Sequence, residues 1–228
     1  NPLEQQGAEA LATALQVNNQ LETLNLWQTK IGTDGAKAIA AGLQMNNSLR
    51  ELAIGCNYMG DNGLESFVNL LKTNSSLESL SFPISDITAS GAQSLASVVK
   101  ANQNLSTLSL MNNELGDQGV EYIAEALSMN NKVTEIEMGG NKIGCRGAMA
   151  VAEMLRVNQK ISKLGLWAND IAFDGAEALF RALEMNPSVT TINFANNKMG
   201  DKGANLLVEL LKTNPRIQDV QFYSKSHQ

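Results

Sequence analysis

The feature that most constrains this chain is a period of 28 residues that never slips. Apolar residues open successive units at Leu21, Leu49, Leu77, Leu105, Val133, Ile161, Val189 and Ile217. Glycine holds one phase (Gly7, Gly35, Gly63, Gly91, Gly119, Gly147, Gly175, Gly203). Asparagine holds another (Asn18, Asn46, Asn74, Asn102, Asn130, Asn158, Asn186, Asn214). A period of this size means that each unit is one supersecondary piece stacked on its neighbours, with a continuous core and no internal boundary. The chain therefore reads as one domain over 1–228. It has a partial unit at 1–20, full units at 21–48, 49–76, 77–104, 105–132, 133–160, 161–188 and 189–216, and a terminal strand at 217–222.

The unit is clearest from Leu105 to Lys132. Leu105, Leu108, Leu110, Asn113 and Leu115 spell L-x-x-L-x-L-x-x-N-x-L. In the strand, Leu108 and Leu110 point inward and Ser109 between them points out. Gly119 opens a helical stretch with apolar residues at Val120, Ile123, Ala124 and Leu127, a stripe that buries one face. Strands stack at ~4.8 Å and helices at ~8–10 Å, so the array bends with a parallel sheet on its concave side. Asn113 and its equivalents are expected to satisfy backbone groups of the turn, with Thr29 and Ser85 as weaker substitutes. The phase glycines are expected to permit close approach or an unusual backbone angle. Asn130 and its equivalents are expected to close each helix in the left-handed conformation.

These motifs, with the A-L-x-x-N ending, are similar to the ribonuclease-inhibitor-like class of leucine-rich repeats. The resemblance covers essentially the whole chain. It implies an α/β leucine-rich repeat solenoid, a horseshoe arc with concave parallel β-sheet and convex α-helices. Members include ribonuclease inhibitor, the sensing arrays of NOD-like receptors, Ran GTPase-activating proteins and tropomodulin, and they act by binding other proteins. Ribonuclease inhibitor alternates two repeat lengths and is rich in cysteine, whereas this chain keeps one length and has two cysteines. Its uniform units resemble NOD-like receptor arrays or the simple arrays of protists and bacteria. The nucleotide-binding motif of a complete receptor is not in this segment. Asn1-Pro2 opens on half a unit and Ile217–Phe222 closes on a bare strand, so the chain reads as a section of a longer array or of a multidomain protein.

The net charge of −6 argues against nucleic acid as a partner, since nucleic-acid binders present a basic surface. No apolar run approaches the roughly 20 residues of a membrane span. Cys56 and Cys145 lie three units apart, on the order of 14 Å, beyond the ~7 Å a disulfide tolerates. Both are expected to be free, which points to a reducing, cytoplasmic setting. His227 is the only histidine, which removes histidine-dependent triads and H-E-x-x-H zinc sites, and no cofactor motif is present. Glu135 and Glu137 share one face of a strand, a separation of ~6–7 Å that glycoside hydrolysis uses, but no third group accompanies them. The reading is non-enzymatic.

Outward sheet positions are where the repeat stops dictating identity. One row runs Thr23, Glu51, Ser79, Thr107, Glu135, Lys163, Thr191, and the next Asn25, Ala53, Ser81, Ser109, Glu137, Gly165, Asn193. A third, just past the strands, runs Trp27, Gly55, Pro83, Met111, Gly139, Trp167, Ala195. From these the candidate protein-binding residues are Trp27, Glu51, Met111, Glu135, Glu137, Lys163, Trp167 and Asn193. Each tryptophan reads equally as a binding anchor or as a cover over a neighbouring glycine such as Gly55, Gly139 or Gly165. The two are five strand gaps apart, roughly 24 Å, so a ligand touching both is a protein or a long peptide. Met45, Met59, Met129, Met138, Met185 and Met199 read as core filling. The function expected is a protein-recognition module using the concave face. The alternatives are a GTPase-activating or inhibitory regulator and an architectural spacer. Pro83 and Ser85 mark the unit at 77–104 as the weakest joint.

Overall fold

The computed structural model describes residues 1–224, so His227 lies outside the described residues. Helices α1 (Glu4–Val17), α2 (Gly32–Gly42), α3 (Gly60–Leu71), α4 (Ala89–Val99), α5 (Gly116–Met129), α6 (Cys145–Val157), α7 (Phe173–Met185) and α8 (Gly200–Thr213) alternate with three-residue strands. The strands are β1 (Thr23–Asn25), β2 (Glu51–Ala53), β3 (Ser79–Ser81), β4 (Thr107–Ser109), β5 (Glu135–Glu137), β6 (Lys163–Gly165), β7 (Thr191–Asn193) and β8 (Asp219–Gln221). Among the described residues they form one eight-stranded parallel sheet in chain order. The register equals the sequence period: Leu80 pairs with Leu108, Leu108 with Ile136 and Ile136 with Leu164. This is the α/β leucine-rich repeat solenoid that the resemblance implies.

The core lies between sheet and helices. Leu52, Leu80, Leu108, Ile136, Leu164 and Ile192 form one buried file, and Leu110, Met138 and Leu166 belong to a second. Helix residues such as Ile123, Leu127, Leu179 and Leu183 close over them, all fully buried. Phe67 meets Phe82 and Phe180 meets Phe194 edge to face, with centroids 5.2 and 5.4 Å apart, so aromatic rings bridge from helix to strand end.

The phase glycines do not open the helices. Helix α5 begins three residues before Gly119, at Gly116, whose φ of 57° lies in the left-handed region. Gly119 allows close approach instead: a Cβ there would sit 3.2 Å from the Ala89 Cα and 3.3 Å from the Ala92 Cβ of the preceding unit. Adjacent helices touch at these positions.

The asparagines after the helices close them by a different route from the one expected. Asn130 is extended (φ −85°, ψ 137°), not left-handed, because the next residues must already run toward the strand. Its side chain completes the turn. Oδ1 accepts from the backbone N–H groups of Lys132 and Val133, both at 2.8 Å. Nδ2 donates backward to Val99 O and Asn102 O of the preceding unit at 2.7 and 2.9 Å. Asn158 and Asn186 repeat the arrangement, so one ladder of amides runs along this edge.

A second ladder runs along the other edge. Asn113 Nδ2 donates to Phe82 O, Leu110 O and Met111 O, and its Oδ1 accepts from the N–H groups of Ser85 and Ile87. Asn57, Asn141 and Asn169 do the same, as the sequence reading expects. Ser85 has one short reach, to Pro83 O at 3.2 Å, and no bond from its hydroxyl into the preceding unit.

The sheet runs unbroken past Pro83. The proline lies past β3, in a row whose N–H is not used for pairing: Phe82 N and Ile84 N donate on either side of it. Its carbonyl still accepts from Cys56 N at 2.7 Å. The unit departs from its neighbours instead at Ser85 and at Ile84, a β-branched residue at φ 50°.

The methionine reading also needs correction. Met59, Met138, Met154 and Met199 are buried, but Met45, Met129 and Met185 are 78, 69 and 84% exposed. They fall two residues after the last buried helix position (Leu43, Leu127, Leu183), which turns them away from the core.

Candidate functional site

The sheet face is built by the strand register. Thr107, Glu135, Lys163 and Thr191 lie side by side in one row, and Ser109, Glu137, Gly165 and Asn193 in the next. Alternation along three-residue strands sends both rows to the same side, away from the leucine files.

Four of the eight predicted residues converge on β5 and β6. Lys163 Nζ pairs with Glu135 Oε1 at 2.7 Å across the two strands. The Glu137 carboxylate lies over Gly165, where any side chain would collide with it. The Trp167 indole lies across Gly139 in the same way, with ring atoms where a Cβ would project. Glycine at 139 and 165 therefore makes room for an indole and a carboxylate to lie flat on the sheet. Burial raises the Glu137 pKa above the ordinary carboxylate value, and the neighbouring Glu135 charge adds to this. A hydrogen-bonding Trp167 side chain and the Lys163 ammonium pull the other way. The Glu135 carboxylate in turn holds the Lys163 ammonium above its usual range.

The other four stand apart from this cluster. Trp27 is 44% exposed beyond β1, and Glu51 is exposed on β2. Met111 is half-buried past β4, and its carbonyl accepts from Ile84 N. Asn193 Oδ1 accepts from Ala195 N at 3.1 Å, which ties its side chain to the end of its own strand. Covering a glycine is therefore what Trp167 does. At Gly55 the atoms nearest a Cβ belong to Pro83.

Ser109, next to Glu137 in the row, was not singled out from sequence. It is 7% exposed, and its hydroxyl has no hydrogen-bond partner among the described residues. Nothing in the repeat pattern marks it, since the equivalent positions in the adjoining units, Ser81 and Glu137, are only half-buried. Among the described residues, no group of three His, Cys, Asp or Glu is placed to hold a metal. Cys56 and Cys145 are free thiols, both half-buried. No helix of the described residues is long and apolar enough to cross a membrane.

Comparison with known proteins follows the same register. Residues 17–40, 46–68, 101–124, 130–152 and 186–208 match the family model described as Leucine Rich repeat. The unmatched stretch before residue 101 includes the unit with Ile84 and Ser85, where the turn departs from the asparagine pattern. No curated protein shows a significant match. Among solved structures, the chain is similar to "Leiomodin-1 Actin-Binding Site 2 (ABS2)", with 25% identity, 57% of this chain and 78% of that one covered, and a TM-score of 0.53. It is also similar to the tropomodulin C-terminal domain of Caenorhabditis elegans, with 11% identity, 90 and 97% covered, and a TM-score of 0.48. The matched segments span just over half of the chain and recur in phase with its strands and helices, and the chain belongs to the leucine-rich repeat family.

Proposed function

We propose that this array is a non-enzymatic protein-recognition module that binds its partner through the sheet face. The observation carrying this reading is the cluster of Glu135, Glu137, Lys163 and Trp167, assembled on a surface that the repeat leaves free to vary. A partly covered indole rimmed by charged groups is the composition of an interface anchor. Glu51, Met111, Asn193 and Trp27 extend the contact along the rows. The chain acts as one domain over 1–228 in this reading, which the unbroken sheet of the described residues supports. The repeats are taken as ribonuclease-inhibitor-like, each pairing a short strand with a helix of 11–14 residues. Free thiols support a cytoplasmic setting.

Actin is the first partner to test, because the leiomodin-1 structure that this chain resembles is described as an actin-binding site. The experiment measures binding of purified actin to the chain and to its variants. Trp167→Ala is expected to weaken binding by about 2 kcal/mol. Adding Trp27→Ala weakens it further if the partner spans both ends. Glu135→Lys with Glu137→Lys slows association with a basic patch, an effect that fades in salt. Glu121→Ala and Glu177→Ala on α5 and α7 serve as controls; each breaks an exposed ion pair, with Arg146 and with Arg181. Loss of binding in these controls, with the sheet variants unaffected, would overturn the sheet-face reading.

A further inference from the structure

The outward positions of the strands are acidic. In the two strand rows four acids, Glu51, Glu135, Glu137 and Asp219, face one base, Lys163; their net of −3 is half the −6 of the whole chain. The row just past the strands carries no charge. In the row just before them Arg50 pairs with Glu78 at 2.7 Å, which leaves Glu22. The rim beyond holds Lys30, Lys142 and Lys198 against Asp86, Glu114 and Asp170, and is neutral. Two of its bases are matched directly, Lys142 by Glu114 and Lys198 by Asp170. The surplus on the sheet face is therefore negative.

Within this surface Glu137 is the carboxylate beside Trp167, and it has no ion pair among the described residues. Lys163, the nearest base, is taken up by Glu135 at 2.7 Å. Burial already strips water from the Glu137 carboxylate, so a cation reaching it is less screened. The Trp167 indole lies flat over Gly139, which leaves its other face turned outward. On the opposite side, Ser109 of β4 is the register partner of Glu137 of β5. Each precedes or follows an inward residue, Leu108 or Ile136, by one position, so both point to the same side. Ser109 is 7% exposed and its hydroxyl has no hydrogen-bond partner among the described residues. A buried hydroxyl left unpaired is unfavourable. The repeat does not require it, since Ser81 and Asn193 in the same phase are half-buried.

We propose that the sheet face takes an arginine side chain of the partner, its guanidinium paired with Glu137, stacked on Trp167 and donating to the Ser109 hydroxyl. This rests on the sheet-face reading and adds to it the chemistry of the ligand. A guanidinium is planar, always charged and donates through five N–H groups in a fork, whereas an ammonium is a compact, strongly hydrated point charge. Its plane lies on an indole while its edge meets a carboxylate. The two acceptors stand on adjacent strands, ~4.8 Å apart along the sheet, and neither is committed to another cation. Ser109 is closed to solvent in the free chain, so its bond to the ligand forms as the half-buried side chains around it give way.

The test selects peptides from a displayed random library on the wild-type chain. Affinity is then measured for the enriched sequences and for copies with arginine replaced by citrulline or by lysine. Citrulline keeps the shape of arginine and removes its charge. Enrichment of arginine is expected. Affinity should fall by about tenfold or more on citrulline replacement, in Glu137→Gln and in Trp167→Ala, and by about threefold in Ser109→Ala. Lysine replacement should also weaken binding. The variants should keep the wild-type circular dichroism, and Glu121→Ala and Glu177→Ala on the helix side should bind as wild type does. Enriched peptides that lack arginine, yet lose affinity in Trp167→Ala, overturn this proposal and leave sheet-face recognition standing. Peptides whose binding falls only in the helix-side variants overturn both. Undiminished binding of the citrulline or lysine copies, or undiminished binding by Ser109→Ala, overturns the assignment of a guanidinium to this site, and so does a selection that enriches nothing.

Discussion

Asn113→Ala is the sharpest test of what couples one unit to the next. Asn113 is 4% exposed and bonds five backbone groups across two units. Not all five are stranded by its removal. Leu110 O keeps the Asn141 amide at 2.9 Å, and Met111 O keeps Ile84 N at 3.1 Å. The N–H groups of Ser85 and Ile87 and the carbonyl of Phe82 lose the only partners they have among the described residues. A buried polar group left unpaired costs about 1–3 kcal/mol. Water entering the space of the lost amide recovers part of this, so the expected cost is about 3–4 kcal/mol. Asn113→Ser should recover about half, because a hydroxyl donates once where the amide reaches three carbonyls. In a stacked array the damage concentrates at one interface, so the two halves should begin to unfold separately. Urea unfolding followed by circular dichroism measures the cost, and amide exchange locates it. A loss below about 1 kcal/mol, with a single sharp transition, would refute the claim that the side-chain ladder, beyond the strands, joins the units.

Ile84→Asn should stabilise the chain by about 1 kcal/mol, because Asn112 and Asn196 hold the same left-handed position with less strain; a Tm equal to or below wild type counts against this. Amide exchange should be faster over 77–104 than in the flanking units, and Ser85→Asn should slow it; uniform protection across the array contradicts this. Glu137 has a folded pKa above its unfolded value, so its ionisation opposes folding at neutral pH, and stability is gained as pH falls through the folded pKa toward the ordinary carboxylate range. Glu137→Gln is accordingly expected to stabilise the chain at pH 7 and to lose that advantage below the ordinary carboxylate pKa; an advantage independent of pH would remove the burial argument. Both Cys56 and Cys145 should react with a thiol reagent in the unfolded, unreduced chain, and a count below two refutes their free state.

The scaffold was legible because its signals are periodic. Leu108 and Leu110 at strand spacing, and Ile123 and Leu127 at helical spacing, repeat often enough to identify strand, helix and parallel register. What escaped the sequence depends on contacts between units. The left-handed cap expected at Asn130 was a local inference, and the carbonyls of Val99 and Asn102, which its amide reaches, belong to another repeat. Pro83 looked disruptive because strand limits are not visible in the residues. Once β3 ends at Ser81, the missing N–H falls where neighbouring units use none. The exposed Met129 and Met185 could have been found by phase, since both lie two residues past the last buried leucine of their helices.

The candidate site shows the same division at finer scale. The rows told which residues face outward, yet not that Gly139 and Gly165 would let Trp167 and Glu137 lie flat. That arrangement constrains how the surface can evolve. A side chain at 165 displaces the Glu137 carboxylate, and one at 139 displaces the indole, so the cluster depends on two positions that themselves offer nothing to a partner. Substituting Gly139 should thus disturb binding through Trp167 while leaving the leucine files intact. The amide ladders hold the backbone beneath, so the face is presented without ordering a loop, which limits the entropy lost on association. Recognition and folding are nearly separable here, and they meet where one unit's side chain rests on the glycine of a neighbouring unit.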